Sequence, residues 1–222
     1  MTNQDEMRTE ELLEKMERSH AERFNEKFWA FFDAHAATRL PPKPTMVDFG
    51  SGPGLFLRDL SSRYRDATLL GFDGDPAMVE SAAHLAYPGP TPEFQVLDLD
   101  TGHLPLPDGS VHLAHAALVL YRLEDPIAFL KELRRVLAPE GVFLLYDRAR
   151  TPLERFVARY RQRGQEETVE VRKHWNRFFW RQNKYADEDW RWLMEQAGLS
   201  VAEATQPEQN NAWVWLVLPD ER

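Results

Sequence analysis

Apolar residues at the start of the chain recur at spacings of three and four. Leu12, Leu13 and Met16, then Phe24, Phe28, Phe31 and Phe32, form a stripe between charged faces, which predicts helix to about Thr38. Pro41, Pro42 and Pro44 then break the chain and set an extended entry into the first strand. From Thr45 the pattern alternates between strand and helix. Strands are predicted at Thr45–Phe49, Thr68–Phe72, Phe94–Leu97, Val111–Ala116 and Val142–Tyr146. Helices are predicted over Leu55–Tyr64, over Pro76–Ala86 and from Pro126 through Leu137. The second and third open on an Asp-Pro pair, a cap followed by a first-turn proline. The fifth strand is continuously apolar, as a parallel strand covered on both faces should be.

After this strand the alternation stops for about 35 residues. Thr151-Pro152-Leu153-Glu154 reads as a capping box opening a helix whose apolar face is Leu153, Phe156, Val157 and Tyr160. A second, aromatic and basic helix is expected over Glu167–Gln182. Asp187 is expected to cap a third, with Trp190, Leu193, Met194 and Ala197 inward and Gly198 as its stop. Leu199–Thr205 and Ala212–Leu218 read as two final strands, antiparallel because the loop between them is too short for a crossover helix. The expected fold class is α/β, a Rossmann-like doubly wound sheet of seven strands with N-terminal helices and a helical lid insert after strand five. The chain divides into four regions: an N-terminal helical cap (1–44), an α/β core (45–147), the insert (148–185), and a C-terminal helix and hairpin completing the sheet (186–222).

Composition narrows the function. A content of 43% hydrophobic and 28% charged residues is that of an ordinary globular chain. The absence of cysteine removes thiolate chemistry and fits a reducing, cytoplasmic setting. The acidic first residues do not read as a signal peptide, and the longest strongly apolar run, Ala212–Leu218, is too short for a membrane span. A net charge of −9 argues against nucleic acid as a partner. One stretch runs the other way: Arg148–Lys184 holds eleven Lys or Arg against four Glu.

Candidate chemistry begins at Val47-Asp48-Phe49-Gly50-Ser51-Gly52-Pro53-Gly54, the first strand-to-helix turn, where open α/β sheets bind ligands. A dinucleotide fingerprint would need glycine where Leu55 stands, and no Lys-Ser/Thr follows to make a phosphate-binding P-loop. Asp48 would sit badly beside a pyrophosphate and well beside an ammonium group. Asp73, ending the second strand, can accept from both hydroxyls of a ribose; Asp98, ending the third, can accept from an adenine amine, with Leu99 offering a backbone N–H.

These residues lie within a series of motifs. VDFGSGPG, LLGFDGDPAMVESA, FQVLDLDTGHLPLPDGSVHLAHAALVLYRLEDP and FLKELRRVLAPEGVFLLYD together resemble class I S-adenosylmethionine-dependent methyltransferases, nearest the bacterial small-molecule branch, over about Thr45–Asp147, with a weaker match from Tyr185 onward. The resemblance implies S-adenosylmethionine as cofactor. Asp48, Gly50, Ser51 and Gly52 would hold its methionine part, Asp73 and Gly74 its ribose, and Asp98 with Leu99 its adenine. Met78 would pack near the ring, with His115 and Ala116 at the pocket floor. It also implies a reversed final strand beside the fifth. The sequence departs from the family pattern at His112, where Asp is usual, at Asp98–Leu104, two residues longer than usual so that Asp100 could share the adenine contact, and at Tyr121-Arg122, which replaces a commonly paired His.

Methyl transfer from a sulfonium is an in-line displacement that needs orientation and desolvation, and only sometimes a base. Candidates for a base or acceptor clamp end the fourth and fifth strands: His115, Tyr121 and Tyr146 for catalysis, with Arg122, Asp147 and Arg148 beside them. Each of these has an ordinary packing role as its alternative. Trp175, Phe179 and Tyr185 of the insert, with Arg122 and Arg148, suit a flat or anionic acceptor, and Phe24, Phe28 and Trp29 would close the other side. His103, His112 and His115 lack a third ligand at metal spacing, so no metal is expected. The expected function is methyl transfer to a small-molecule acceptor, aromatic or anionic. The alternatives are an RNA or protein acceptor held by the basic insert, and a non-catalytic cofactor-binding regulator.

Overall fold

The computed structural model describes residues 16–162, 164, 166–207 and 212–220. Leu12 and Leu13 of the predicted N-terminal stripe lie outside them. Seven strands form one sheet: β1 (Thr45–Phe49), β2 (Thr68–Asp73), β3 (Glu93–Val96), β4 (Val111–Ala117), β5 (Leu137–Arg148), β6 (Leu199–Thr205) and β7 (Ala212–Pro219), in the order β3-β2-β1-β4-β5-β7-β6. The first five are parallel. β7 enters between β5 and β6, antiparallel to both, so the reversed final strand beside the fifth is present.

Two apolar layers explain why the central strands carry so little polarity. On one face Phe49, Leu145 and Trp215 pack against Phe129 and Leu133 of α5 (Pro126–Val136) and Trp190 of α8 (Asp187–Glu195). On the other, Met46, Leu144 and Tyr146 pack against Phe24, Phe28 and Phe32 of the N-terminal helices and against Phe56 and Leu60 of α3 (Leu55–Arg63). Burying a side chain of this size contributes about 1.5–3 kcal/mol.

The N-terminal stripe is not one helix. α1 (described over 16–23) stops, and Asn25 starts α2 (Glu26–Phe31) by accepting from the backbone N–H groups of Lys27 and Phe28. A π-helical turn, Phe32–Ala36, and a 3-10 turn, Ala37–Arg39, follow. An Asn side chain competes for helix donors, which is why periodicity alone misses the break.

Several other boundaries move by tertiary contact. α4 spans Pro76–His84, shorter than the pattern implies. β5 extends back to Leu137, which pairs with Val111 before Pro139-Glu140-Gly141 loops out and Val142 resumes pairing with Leu113. A Cβ on Gly141 would stand 2.7 Å from the Val111 carbonyl oxygen. Ala186, not Asp187, is the N-cap of α8, and Asp189 Oδ2 accepts from the Ala186 N–H. Asp187 is diverted to Trp215 Nε1 and Arg191 Nε.

The insert holds α6 (Leu153–Gln162) and α7 (Val169–Gln182). Its two ends are tied together by Asn183, which accepts from the Thr151 N–H and donates to the Thr151 carbonyl. Lys184 adds a bond to the Leu123 carbonyl, in the loop after β4. His112, the departure at the start of β4, accepts from the Thr45 N–H through Nδ1 and anchors the first residue of β1.

Candidate functional site

Between β1 and β4 the chain order reverses, and a crevice opens at their carboxyl ends, as it must where successive crossovers leave on opposite sides. The loop after β1 folds back over β2: the N–H groups of Gly50 and Ser51 both donate to the Phe72 carbonyl. Gly50 has φ +74°, and a Cβ there would collide with Val119 Cγ2. Gly52, at φ +52°, lines the cavity, so a side chain on it would stand in the cleft. Asp73 closes the arrangement by accepting from Gly52 through Oδ2 and from Asp75 through Oδ1. Each carboxylate oxygen keeps a second lone pair for a ligand hydroxyl.

The cavity above this loop measures about 590 Å³. It collects Asp48, Gly50, Ser51, Gly52, Asp73, Met78 and His115 from the expected cofactor set, and Tyr121, Arg122 and Arg148 from the expected acceptor and catalytic set. Leu118 at its edge is the one described non-glycine residue with positive φ, +58°, and donates its N–H to the Tyr146 carbonyl. Among the described residues, Arg122 and Arg148 have no ion-pair partner, whereas Arg161, Arg172 and Lys173 of the insert are paired with Glu167 or Glu170.

Two buried polar atoms of residues lining the cavity have no hydrogen-bond partner among the described residues: Ser51 Oγ and His115 Nε2. Leaving such a group unpaired costs about 1–3 kcal/mol, and a polar ligand in the cleft would remove that cost. His115 is buried within β4. Its Nδ1 lies 2.7 Å from Asp48 Oδ1 on β1, and its ring stacks on Phe56 at a centroid distance of 3.8 Å. Asp147, fully buried at the end of β5, also has an Oδ2 without a partner among the described residues. Burial pushes its carboxyl up to about 7, opposed by the Arg148 and Tyr121 backbone N–H groups and by the positive charge of Arg148 and Arg122.

Other expected site residues lie elsewhere. Asp98 is exposed beyond the cavity, and its carboxylate accepts from the Asp100 N–H, capping a 3-10 turn at Leu99–Thr101. Leu99 is buried in the core, as is Ala116. Gly74 faces open space: a Cβ there would have only the Leu97 carbonyl oxygen nearby, at 3.8 Å. Asp100 accepts from the Glu124 and Asp125 N–H groups and so anchors the start of α5. Phe28 is fully buried, Trp29 stacks on Phe56 under the Arg63 guanidinium, and Tyr146 packs in the same core. Trp175 is buried in the insert, Phe179 packs edge-on against Phe156, and Tyr185 packs on Trp190; none of the three lines the cavity.

Sequence reasoning finds Phe24 of the roof and misses the rest. Met16, Ser19, His20, Arg23 and Phe24 of the N-terminal segment line the cavity, and His20 Nε2 is joined to Asp59 Oδ2 of α3 at 2.7 Å. The available signal is His20 itself, which stands on the apolar stripe four residues after Met16 and four before Phe24.

Residues 47–145 match the family model of the methyltransferase domain. The chain is 37% identical over 99 residues to malonyl-[acyl-carrier protein] O-methyltransferase of Halorhodospira halophila, covering 45% of this chain and 33% of that protein. It is also 37% identical over 97 residues to trans-aconitate 2-methyltransferase of Methylobacterium radiotolerans, covering 43% and 35%. The matched segment thus spans about a third of these relatives. A solved S-adenosylmethionine-dependent methyltransferase from Aquifex aeolicus superposes with a TM-score of 0.65 at 20% identity, covering 90% of this chain and 93% of that one. Motif order, sheet order and these likenesses agree that residues 47–145 are a methyltransferase domain, within a fold that solved S-adenosylmethionine-dependent methyltransferases share.

Proposed function

We propose that the protein transfers a methyl group from S-adenosylmethionine to a small molecule that carries an anionic group. The observation that carries this reading is a shared cavity. The glycine loop and Asp73 line it together with Arg122 and Arg148, two arginines without ion-pair partners among the described residues. When bound, S-adenosylmethionine supplies a methyl group activated on a sulfonium.

The chain's own residues bind and orient. Asp73 and the loop glycines fit a ribose and a methionine chain, and Asp48 and Ser51 fit the polar amino-acid end. Arg122 and Arg148 fit a carboxylate, which a guanidinium can grip with two parallel N–H donors. Two relatives carry anionic acceptors in their names, malonyl and trans-aconitate, and this supports the same class here. Asp98 and Leu99 remain proposed for the adenine side, and Gly74 for the ribose side.

Calorimetric titration of S-adenosylhomocysteine tests the cofactor, with Asp73→Ala as the control. Micromolar binding severely weakened by the substitution is expected; absence of binding by the folded chain would sink the reading. A panel of carboxylates with labelled S-adenosylmethionine then tests the acceptor. Arg148→Gln should raise KM at least tenfold and leave S-adenosylhomocysteine affinity unchanged. Another protein of this fold is a [4+2]-cyclase, with a TM-score of 0.62 at 14% identity, so methyl transfer itself must be the readout. Salt-sensitive retention on heparin would favour an RNA acceptor instead.

A further inference from the structure

We propose that His115 Nε2 is the proton acceptor for the molecule being methylated, with Asp48 as the positioning residue that holds the ring. This rests on the methyltransferase reading and deepens it: the methylated atom is a protonated hydroxyl or amine, not the carboxylate gripped by the arginines.

Asp48 and His115 are register partners on neighbouring parallel strands, so their side chains emerge on the same face of the sheet. Nδ1 and Oδ1 are 2.7 Å apart, and both groups are almost wholly buried. A carboxylate can only accept, so Nδ1 carries the proton, and a neutral ring is left with its lone pair on Nε2. That atom has no partner among the described residues, although the ring lines the cavity. A histidine serving only as packing material would be expected to satisfy both nitrogens or give way to an apolar residue, as Leu113, Ala114 and Ala116 have done around it.

Neighbouring elements support the role. Phe56 from α3 stacks on one face of the ring, and Phe24 meets it edge-on at 5.5 Å. These rings hold the imidazole in place at the wall of the cavity. The charged and titratable groups that line the cavity with the ring are Asp48 from β1, His20 and Arg23 from α1, Asp73 and Asp75 at the end of β2, Tyr121 and Arg122 after β4, and Arg148 from β5. His20 is engaged with Asp59 of α3, and Asp48 is the carboxylate in contact with the imidazole.

The step balances. The acceptor's lone pair forms the new bond to the methyl carbon as the carbon–sulfur bond breaks, with its electron pair going to sulfur. The acceptor's O–H or N–H proton goes to Nε2. The resulting imidazolium is stabilised by Asp48 and returns its proton to water after product leaves.

The test uses the full chain labelled with nitrogen-15. Long-range proton–nitrogen correlation at pH 7.5, with the ring assigned through contacts to Phe24 and Phe56, should show protonated Nδ1 and unprotonated Nε2. Asp48→Asn should lose that tautomer. An Nε2–H ring, or an imidazolium at that pH, overturns the proposal. With 4-hydroxybenzoate as probe and S-adenosylhomocysteine present, the Nε2 signal should shift; an unchanged signal when the phenol is bound overturns it.

For any hydroxylated acceptor turned over, His115→Gln should lower kcat at least a hundredfold and remove the acid limb of the pH–rate profile. S-adenosylhomocysteine affinity is measured on the same variant, so that the loss in kcat is read at saturating cofactor. A kcat within threefold of wild type counts against the role. Titrating S-adenosylhomocysteine into the same sample separates the two failures: no binding sinks the methyltransferase reading, whereas binding with the wrong tautomer sinks only this proposal.

Discussion

Gly52 donates its backbone N–H to Asp73 Oδ2 at 2.7 Å, so the loop after β1 and the end of β2 are one hydrogen-bonded unit. Asp73 therefore both shapes the loop and lines the cavity. Asp73→Ala removes both roles and should weaken S-adenosylhomocysteine binding by about two orders of magnitude, the scale of two lost charged hydrogen bonds. Asp73→Asn can still accept through one oxygen and should lose less. Equal losses in the two variants, read by calorimetry, would show that charge rather than geometry is the requirement.

Gly50 stands where neither backbone nor space admits a side chain. Gly50→Ala places a methyl group on Val119 at φ +74°, and stability should fall by about 2–3 kcal/mol. Gly50→Ala with Val119→Ala relieves the clash but not the backbone strain, so the double variant should recover part of the loss. Urea melts of the two would measure the division.

Asp147 gives a pH dependence with a definite sign. Its carboxyl is raised from the usual range to about 7 by burial, so the folded protein binds the proton more tightly than the unfolded chain. The associated stability is fully present below about pH 4 and is lost as pH rises through 7. Asp147→Asn removes this dependence and should raise Tm at pH 8 by on the order of 5 °C, with little gain near pH 4. A Tm difference that does not vary between pH 4 and pH 8 would contradict the assignment.

Phe28 separates fold from function. The sequence places it beside the acceptor, yet it is fully buried between Phe24, Trp29, Phe32 and Phe56. Phe28→Leu should cost about 1–2 kcal/mol through lost packing and leave S-adenosylhomocysteine affinity within twofold of wild type. A change in affinity without a change in stability would return Phe28 to the site.

The features legible in the sequence are those whose signals are local. The alternation of β1 to β5 with helices, the glycine loop, and the acidic ends of β2 and β3 are patterns produced by backbone geometry within a few residues. The antiparallel pairing of β6 with β7 is legible because their connection is too short for a crossover helix, whereas the place of β7 beside β5 came from the family resemblance. Tertiary structure alone decided how side chains are used. Asp98 caps a turn, Asp100 anchors α5, Asp187 holds Trp215, and His112 holds β1, and no local pattern announces any of these partners. The Asp48–His115 contact joins residues 67 positions apart, and α1 roofs a cavity built from the other end of the fold. Periodicity identifies the face a helix buries, but which residue of another element meets it is set only when the two pack. The glycine loop is therefore written in the sequence, and the cavity that joins it to α1, Arg122 and Arg148 exists only in the folded chain.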